Sequence, residues 1–408
     1  MRILILTQWY PPEPALLLQE LAQSLINMGH DVQVLTGFPN YPSGTLYPGY
    51  KLRWRMKEVL AGVPVARVAL FPDHSTSKIK RSLNYLSFAF SSAFLGPWLV
   101  DRPDVIFVYH PPLTVGFSGF LLSRLWRVPF VYQIQDMWPE TLAATGMISN
   151  QRILKWIDVS ARWIYRQAKT ILVISPGFKR NLIKKQVPAE KIHVISNWVD
   201  TDLYHPKERD VSLAQELGFA GKFNIMFAGN MGRAQGLETV LDAAAILVDH
   251  RDVQFVFVGD GVAESQLRAQ AEEKQLTNVR FLGRYPAAEM PKLYAMADVL
   301  LVHLKNDPLF RITIPHKIMV YLAMGKPVLA AVLGDAADVV KNTGAGFTSP
   351  PEDANALAEA VLTFFQLSEE ERRAMGARAL HAAHSMFSRD TLTAQIEAVL
   401  RAAASKDS

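Results

Sequence analysis

Apolar, β-branched runs that end at polar or glycine-rich turns recur along the chain, and helical patterns separate them. In the first half they are RILIL (2–6), DVQVLTG (31–37), DVIFVYH (104–110), PFVYQIQD (129–136), TILVIS (170–175) and IHVIS (192–196). In the second half they are NIMFAGN (224–230), VQFVFVGDG (253–261), VRFLG (279–283), DVLLVHL (298–304) and KPVLAAV (326–332). Runs this apolar predict parallel strands buried on both faces. Their alternation with helices predicts a doubly wound α/β class. The series pauses at 197–222, where NWVDTDLYHPKERD is polar and holds a proline. This places a first domain at 1–200, a linker at 201–221 and a second domain at 222–387. A serine-capped helix over 388–406 is expected to pack back on the first domain. Two Rossmann-like parallel sheets predict a central cleft, with ligands beyond the carboxyl ends of the strands.

One uncharged stretch stands apart. SLNYLSFAFSSAFLGPWLV (82–100) is just long enough to span a bilayer. Asn84, its serines and Pro97 argue against spanning, which leaves a buried helix or a face resting on membrane. Lys78, Lys80 and Arg81 precede it, and KLRWRMK (51–57) sets Lys51, Arg53, Arg55 and Lys57 around Trp54. These are head-group-level cations or a solvated strand edge.

Composition narrows the class. The 408 residues are 50% hydrophobic and 20% charged, which suits buried sheets covered by helices and argues against disorder. A net charge of +5 favours anionic partners without naming one. There are no cysteines, so disulfides and thiolate metal sites are excluded. The start MRILILTQWYPPE reads as a first strand rather than a secretory signal, so a cytoplasmic protein is expected.

Two glycine turns follow strands of the second half. AGNMGRAQGLETVLDAA (228–244) turns through Gly229 and Gly232 and enters a helix near Gly236. Such a turn brings backbone N–H groups toward a phosphate, and Arg233 adds forked donors. Its spacing is neither GxGxxG nor GxxxxGK[ST]. VGDGVAESQL repeats the geometry through Gly259 and Gly261, and Gly283 to Pro286, with Arg284 and Tyr285, could meet a nucleobase. RITIPHKIMVYLAMGKPV (311–328) contains no carboxylate. Pro315 suits the first turn of a helix, whose N-terminus with Lys317 and His316 predicts an anion site. Opposite Arg233, it would hold a departing nucleoside diphosphate.

With these motifs in order, the chain resembles the retaining glycosyltransferases of family 4, which have the GT-B two-domain fold. The likeness spans nearly the whole chain through INMGHDVQVLTG (26–37), SNWVDTDLYHP (196–206), FAGNMGRAQGLETVL (227–241), VGDG (258–261), ADVLLVHL (297–304) and YLAMGKPV (321–328). YPPEP, GFPNYPSG, HPPLTVG and QDMWPET are similar to a branch of bacterial O-antigen, capsule and colanic-acid enzymes, including fucosamine-transferase-like proteins. The resemblance implies transfer of a sugar, with retention, from a UDP-sugar in preference to a GDP-sugar. The acceptor would be a glycan or a polyprenyl-diphosphate-linked sugar, and the enzyme cytoplasmic or peripheral on the inner membrane face. No cofactor or metal is implied.

The sequence departs from the family at several positions. The family's paired glutamates are replaced by Ile312 and Val320, its arginine by Asn230, its lysine by Gln235 and its histidine by Gln135. Asn230, Gln235 and Tyr321 are carried as donor-side residues with the glycines. Arg233 and Lys317 would hold the leaving phosphate, which could itself take the acceptor proton, so little side-chain acid–base chemistry is required.

On the acceptor side, Glu13 and Asp136 are candidate bases, and Trp9, His110 and Glu140 candidate binding groups. Helix capping by Glu13 and Glu140, and a structural His110, are the alternatives. His303 reads as a core histidine. Asp200 and Asp202 form a D-x-D that reads as a turn or cap rather than a metal site. Rival functions are an epimerase on the same fold and a non-catalytic subunit of a polysaccharide-assembly complex. Nucleic-acid binding finds no supporting motif.

Overall fold

The computed structural model describes residues 1–75 and 77–405; the last residue of the helix expected to reach 406 lies outside them. The chain divides into two compact units. Met1–Ser196 with the C-terminal segment from Asp390 forms the first, and Asn197–Arg389 the second.

The first unit is built on eight strands: β1 (Arg2–Leu6), β2 (Asp31–Gly37), β3 (Arg55–Leu60), β4 (Val63–Val68), β5 (Val105–His110), β6 (Phe130–Ile134), β7 (Thr170–Val173) and β8 (Ile192–Val194). Their order is β3-β4-β2-β1-β5-β6-β7-β8, parallel except for the β3–β4 pair. That hairpin was not among the runs identified from hydropathy. β3 alternates exposed and half-buried positions as an edge strand, so it lacks an apolar run. Ala61 (φ 49°) and Gly62 (φ 82°) supply the two left-handed residues its two-residue turn requires.

The second unit has six parallel strands: β9 (Phe223–Ala228), β10 (Val253–Val258), β11 (Val279–Gly283), β12 (Val299–His303), β13 (Val328–Ala331) and β14 (Gly346–Ser349), in the order β11-β10-β9-β12-β13-β14. Period-2 geometry sends Met226 and Ala228 into one apolar layer, and Ile225 and Phe227 into the other. Each large side chain buried this fully stabilises by roughly 1.5–3 kcal/mol. In both sheets the strand order reverses beside the first strand, between β1 and β5 and between β9 and β12. The loops after those strands are where a doubly wound sheet presents ligands.

Residues 201–221 differ from the expected linker. They belong to the second unit and carry a helix, Val211–Glu216, capped by the Asp210 side chain. Phe219 from this stretch is fully buried in that unit's core, which the polar flanks concealed. The C-terminal helix, Arg389–Ala404, is tied to the first unit by the ion pair of Glu397 with His30, 2.9 Å apart.

Candidate active site

In the second unit, three segments meet at the switch point. β9 ends at Ala228, the chain turns through Gly229 and Asn230, and Arg233–Gln235 form a single 3-10 turn before the helix Glu238–Ile246. The helix His316–Ala323 starts directly after Pro315, which stands just outside it in extended conformation. Lys317 Nζ donates to Gln235 Oε1 at 2.9 Å and lies 3.9 Å from the centre of the Phe227 ring. Burial of the ammonium lowers its pKa to about 7, even though the residue as a whole is only half-buried. Arg233, two residues before Gln235, is exposed and therefore free to reach a ligand. The guanidinium-bearing turn and the buried amine thus belong to one strand end.

Other donor-side expectations fall into three groups. Gly229, Asn230 and Gly232 line the turn, and a side chain on Gly229 would approach Lys317 Nζ to 3.4 Å. Arg284 is exposed beside Asp260 at 3.4 Å, Tyr285 is half-buried against the core, and His316 shares a hydrogen bond with the Trp198 carbonyl at 3.1 Å. The remaining three, Gly259, Gly261 and Tyr321, are corrected. A Cβ on Gly259 would sit 2.1 Å from the Gly229 carbonyl oxygen, and one on Gly261 2.6 Å from that of Met231. Those two glycines let the β10 turn pack closely against the β9 turn, which accounts for them without a ligand. Tyr321 is fully buried; its hydroxyl accepts from the Ala228 N–H at 3.1 Å and donates to the Ala228 carbonyl at 3.2 Å. It fixes the strand end that carries the turn.

The first unit presents its own switch-point cluster. Asp136, just beyond β6, makes no hydrogen bond or ion pair among the described residues, and burial raises its pKa. Burial raises the pKa of the nearby Tyr41 and Tyr109 phenols, and the Asp136 charge adds to it. Trp9 is half-exposed, its ring 4.7 Å from that of Tyr41.

Three acceptor-side expectations are corrected. Glu13 is 1% exposed and accepts from the backbone N–H groups of Tyr10 (3.1 Å), Asn40 (2.9 Å) and Tyr41 (2.8 Å). It neither caps a helix nor faces a substrate: it ties the proline loop 10–14 to loop 37–44. Burial pushes its pKa up to about 7, against those donors and the Arg67 charge. Glu140 is paired with Lys185 at 2.6 Å, and Lys185 also reaches Asp158 at 3.1 Å, so the glutamate is spent on structure. His110 is 1% exposed, with its ring against Tyr132 and Trp138 and no hydrogen-bond partner on either nitrogen among the described residues. Burial lowers its pKa to about 3, so it is neutral.

Sequence reasoning missed Phe227, the aromatic floor under Lys317. An apolar strand residue gives no signal that its ring face will carry a cation. It also missed Arg67, fully buried and bound to the carbonyls of Gly37 and Pro11. His303 is a core histidine, as expected, with Nδ1 2.6 Å from the Gln235 carbonyl. Asp200 accepts from the N–H groups of Asp202 and Leu203, the turn expected of the D-x-D. Among the described residues no cluster of His, Asp and Glu has a geometry that could hold a metal ion.

Two family models match this architecture unit by unit: a glycosyl transferase 4-like domain over residues 15–198, and glycosyl transferases group 1 over residues 222–366. The chain belongs to this family, the family-4 glycosyltransferases of GT-B fold. It is 29% identical over 264 residues to WbjE of Pseudomonas aeruginosa, named as a probable glycosyltransferase, covering 64% of this chain and 66% of WbjE. It is 29% identical over 315 residues to Escherichia coli K12 WcaI, whose name assigns it to colanic acid biosynthesis, covering 75% and 76%. Among solved structures it is similar to Anabaena Alr3699/HepE in complex with UDP and glucose, with a TM-score of 0.73, 22% identity, and 98% and 99% of the two chains covered.

Proposed function

We propose that the chain transfers a sugar from a nucleotide sugar, a UDP-sugar in preference to a GDP-sugar, with retention of anomeric configuration and without a metal. The acceptor is a glycan or a lipid-diphosphate-linked sugar of bacterial surface-polysaccharide synthesis. The observation that carries this is Lys317, bound to the side chain of Gln235 on the turn that presents Arg233. A buried amine whose pKa lies near neutrality becomes fully charged when a diphosphate arrives, and with Arg233 it neutralises the leaving group. A fold neighbour captured with UDP and glucose makes UDP the first nucleotide to test, and the relative named for colanic acid supports a polysaccharide product.

The acceptor hydroxyl attacks on the face the nucleotide leaves, and the leaving phosphate oxygen takes its proton. Asp136, just beyond β6 and without an ion pair or hydrogen bond among the described residues, binds acceptor hydroxyls. A cytoplasmic enzyme in peripheral contact with an anionic membrane is the matching location. Trp54, 81% exposed among exposed Lys51, Arg53, Arg55 and Lys57, supports that contact. No helix among the described residues is long and apolar enough to cross a membrane.

Screening nucleotide sugars for released nucleotide, with a lipid-linked or glycan acceptor and NMR of the product anomer, tests the proposal. Acceptor-dependent release with retained configuration is expected. Epimerised donor without acceptor would favour the epimerase reading. No heat with UDP, GDP or ADP would favour a non-catalytic subunit.

A further inference from the structure

The helix Lys78–Leu95 is inside out. Its buried stripe is Asn84, Phe88 and Ser92, spaced four apart, while the opposite face is apolar and open. The inward polar groups are satisfied: Asn84 donates to the Phe71 carbonyl at 2.7 Å, and Ser92 to the Ser118 hydroxyl at 2.9 Å. The outward face includes Phe90 (65% exposed) and Phe94 (58% exposed), whose rings are 4.3 Å apart. A water-soluble surface helix shows the reverse pattern.

That face forms one wall of a groove of about 580 Å³. The other wall is the helix Val115–Trp126, through Phe117 and Leu121. Ala89, Ala93 and Ser118 lie between the larger side chains. The two helices run alongside each other in the same direction. Thr114 donates to the Tyr85 carbonyl at 3.2 Å, and one turn on Ser118 donates to that of Ala89 at 2.8 Å.

The ends of the groove differ. Leu83, Leu86, Phe90 and Phe94 continue as one stripe at i+3 and i+4 spacing, and Lys80 extends it by one turn toward the helix N-terminus. Lys78, Lys80 and Arg81 form no ion pair among the described residues, and no acid lies in the first turn of their helix. That end also lies toward the candidate acceptor cluster. The Tyr85 ring is 6.2 Å from Trp138, which edges His110 two residues beyond Asp136. An apolar channel whose stripe runs on to Lys80 at the cationic start of its helix, near a carboxylate that makes no ion pair among the described residues, is complementary to an anionic amphiphile.

We propose that this groove seats the hydrocarbon chain of one long-chain lipid diphosphate, with its diphosphate on Lys78, Lys80 and Arg81. The occupant rests on the acceptor reading above. It goes further by assigning the lipid its own site, distinct from a general membrane-facing surface. Seated so, the lipid holds its sugar beside Asp136.

The test titrates geranylgeranyl diphosphate, below its aggregation concentration, into the full chain by calorimetry. Ala93→Trp fills the groove without touching the donor turn, and Phe94→Gln is a second variant should the first fold poorly. The expected result is binding by wild type, weakened about tenfold or more by either variant. UDP affinity and melting temperature should stay unchanged. Lys80→Glu should weaken binding similarly, and geranylgeraniol, which lacks the diphosphate, should bind much less tightly. Equal affinity in wild type and both groove variants overturns the proposal. So does a parallel loss of binding to anionic vesicles that contain no lipid diphosphate, which would mark a bilayer-facing surface. A wild-type dimer that Ala93→Trp dissociates would assign the face to a second copy and equally overturn it. Sugar transfer is not part of this readout: absence of transfer with every nucleotide sugar would sink the function above and leave the groove assignment standing.

Discussion

Lys317 Nζ donates to Gln235 Oε1 at 2.9 Å while lying over the Phe227 ring at 3.9 Å. The amide oxygen and the ring face are weak compensation for a charge withdrawn from water. Its pKa of about 7, lowered from 10.5 by burial, follows from that imbalance. No carboxylate stands in this contact, so an arriving anion has no internal rival for the amine.

The lowered pKa has a consequence for stability. Between about pH 7 and 10.5 the unfolded chain holds the Lys317 proton and the folded chain releases it, so this group's contribution rises with pH across that window. Below pH 7 its full penalty applies. Lys317→Met is expected to raise the melting temperature at pH 6 and to gain progressively less toward pH 10, checked by thermal denaturation at several pH values.

Arg233→Ala and Lys317→Ala should each slow transfer by roughly a hundredfold, the size of one lost charge-assisted contact at a leaving group. Arg233 is exposed, so its variant should keep the wild-type circular dichroism spectrum and melting temperature. Steady-state rates with the best donor from the nucleotide screen provide the comparison. Near-normal turnover in both would remove the assignment.

Much of this was legible in the sequence. Buried parallel strands announce themselves as unbroken apolar runs, so eleven runs marked the sheets, and the glycine turn after β9 and the acid-free segment 311–328 marked the donor end. β3 was not legible, because an edge strand alternates and mimics solvated surface; β4 is buried but its run is broken by Pro64 and Arg67, and β14 (GFTS) is too short and polar to stand out. The acceptor side was read less well because an acid next to proline looks the same whether it meets a ligand or its own backbone. Glu13 turned inward to three N–H groups and Glu140 to Lys185, while Asp136 makes no hydrogen bond or ion pair among the described residues. Tyr321 was assigned to the right place with the wrong role, since helical spacing does not reveal that its hydroxyl is consumed by Ala228.

Tyr321→Phe removes a hydroxyl that serves both backbone groups of Ala228 and leaves them buried without it. The expected loss is about 1–3 kcal/mol in urea denaturation. The KM for donor should rise more than kcat falls, because the hydroxyl positions the turn and touches no substrate.

Glu13→Gln and Asp136→Asn should separate structure from chemistry. Glu13 has a folded pKa of about 7, raised from 4.5, so its contribution is full below pH 4.5 and is lost as pH rises through 7. Glu13→Gln should flatten that decline in melting temperature and change kcat little. Asp136→Asn should leave melting nearly unchanged and raise the acceptor KM, measured in the same transfer assay.

The central claim is that Arg233 and Lys317 serve one diphosphate, and calorimetric titration with UDP tests it most directly. The account predicts that wild type binds UDP and that each alanine variant binds at least about tenfold more weakly. It also predicts that wild-type binding at pH 8 takes up a proton, read as a dependence of the heat on buffer, and that Lys317→Ala abolishes this uptake. Identical affinity in all three proteins, or a wild-type heat that does not change with buffer, would contradict it.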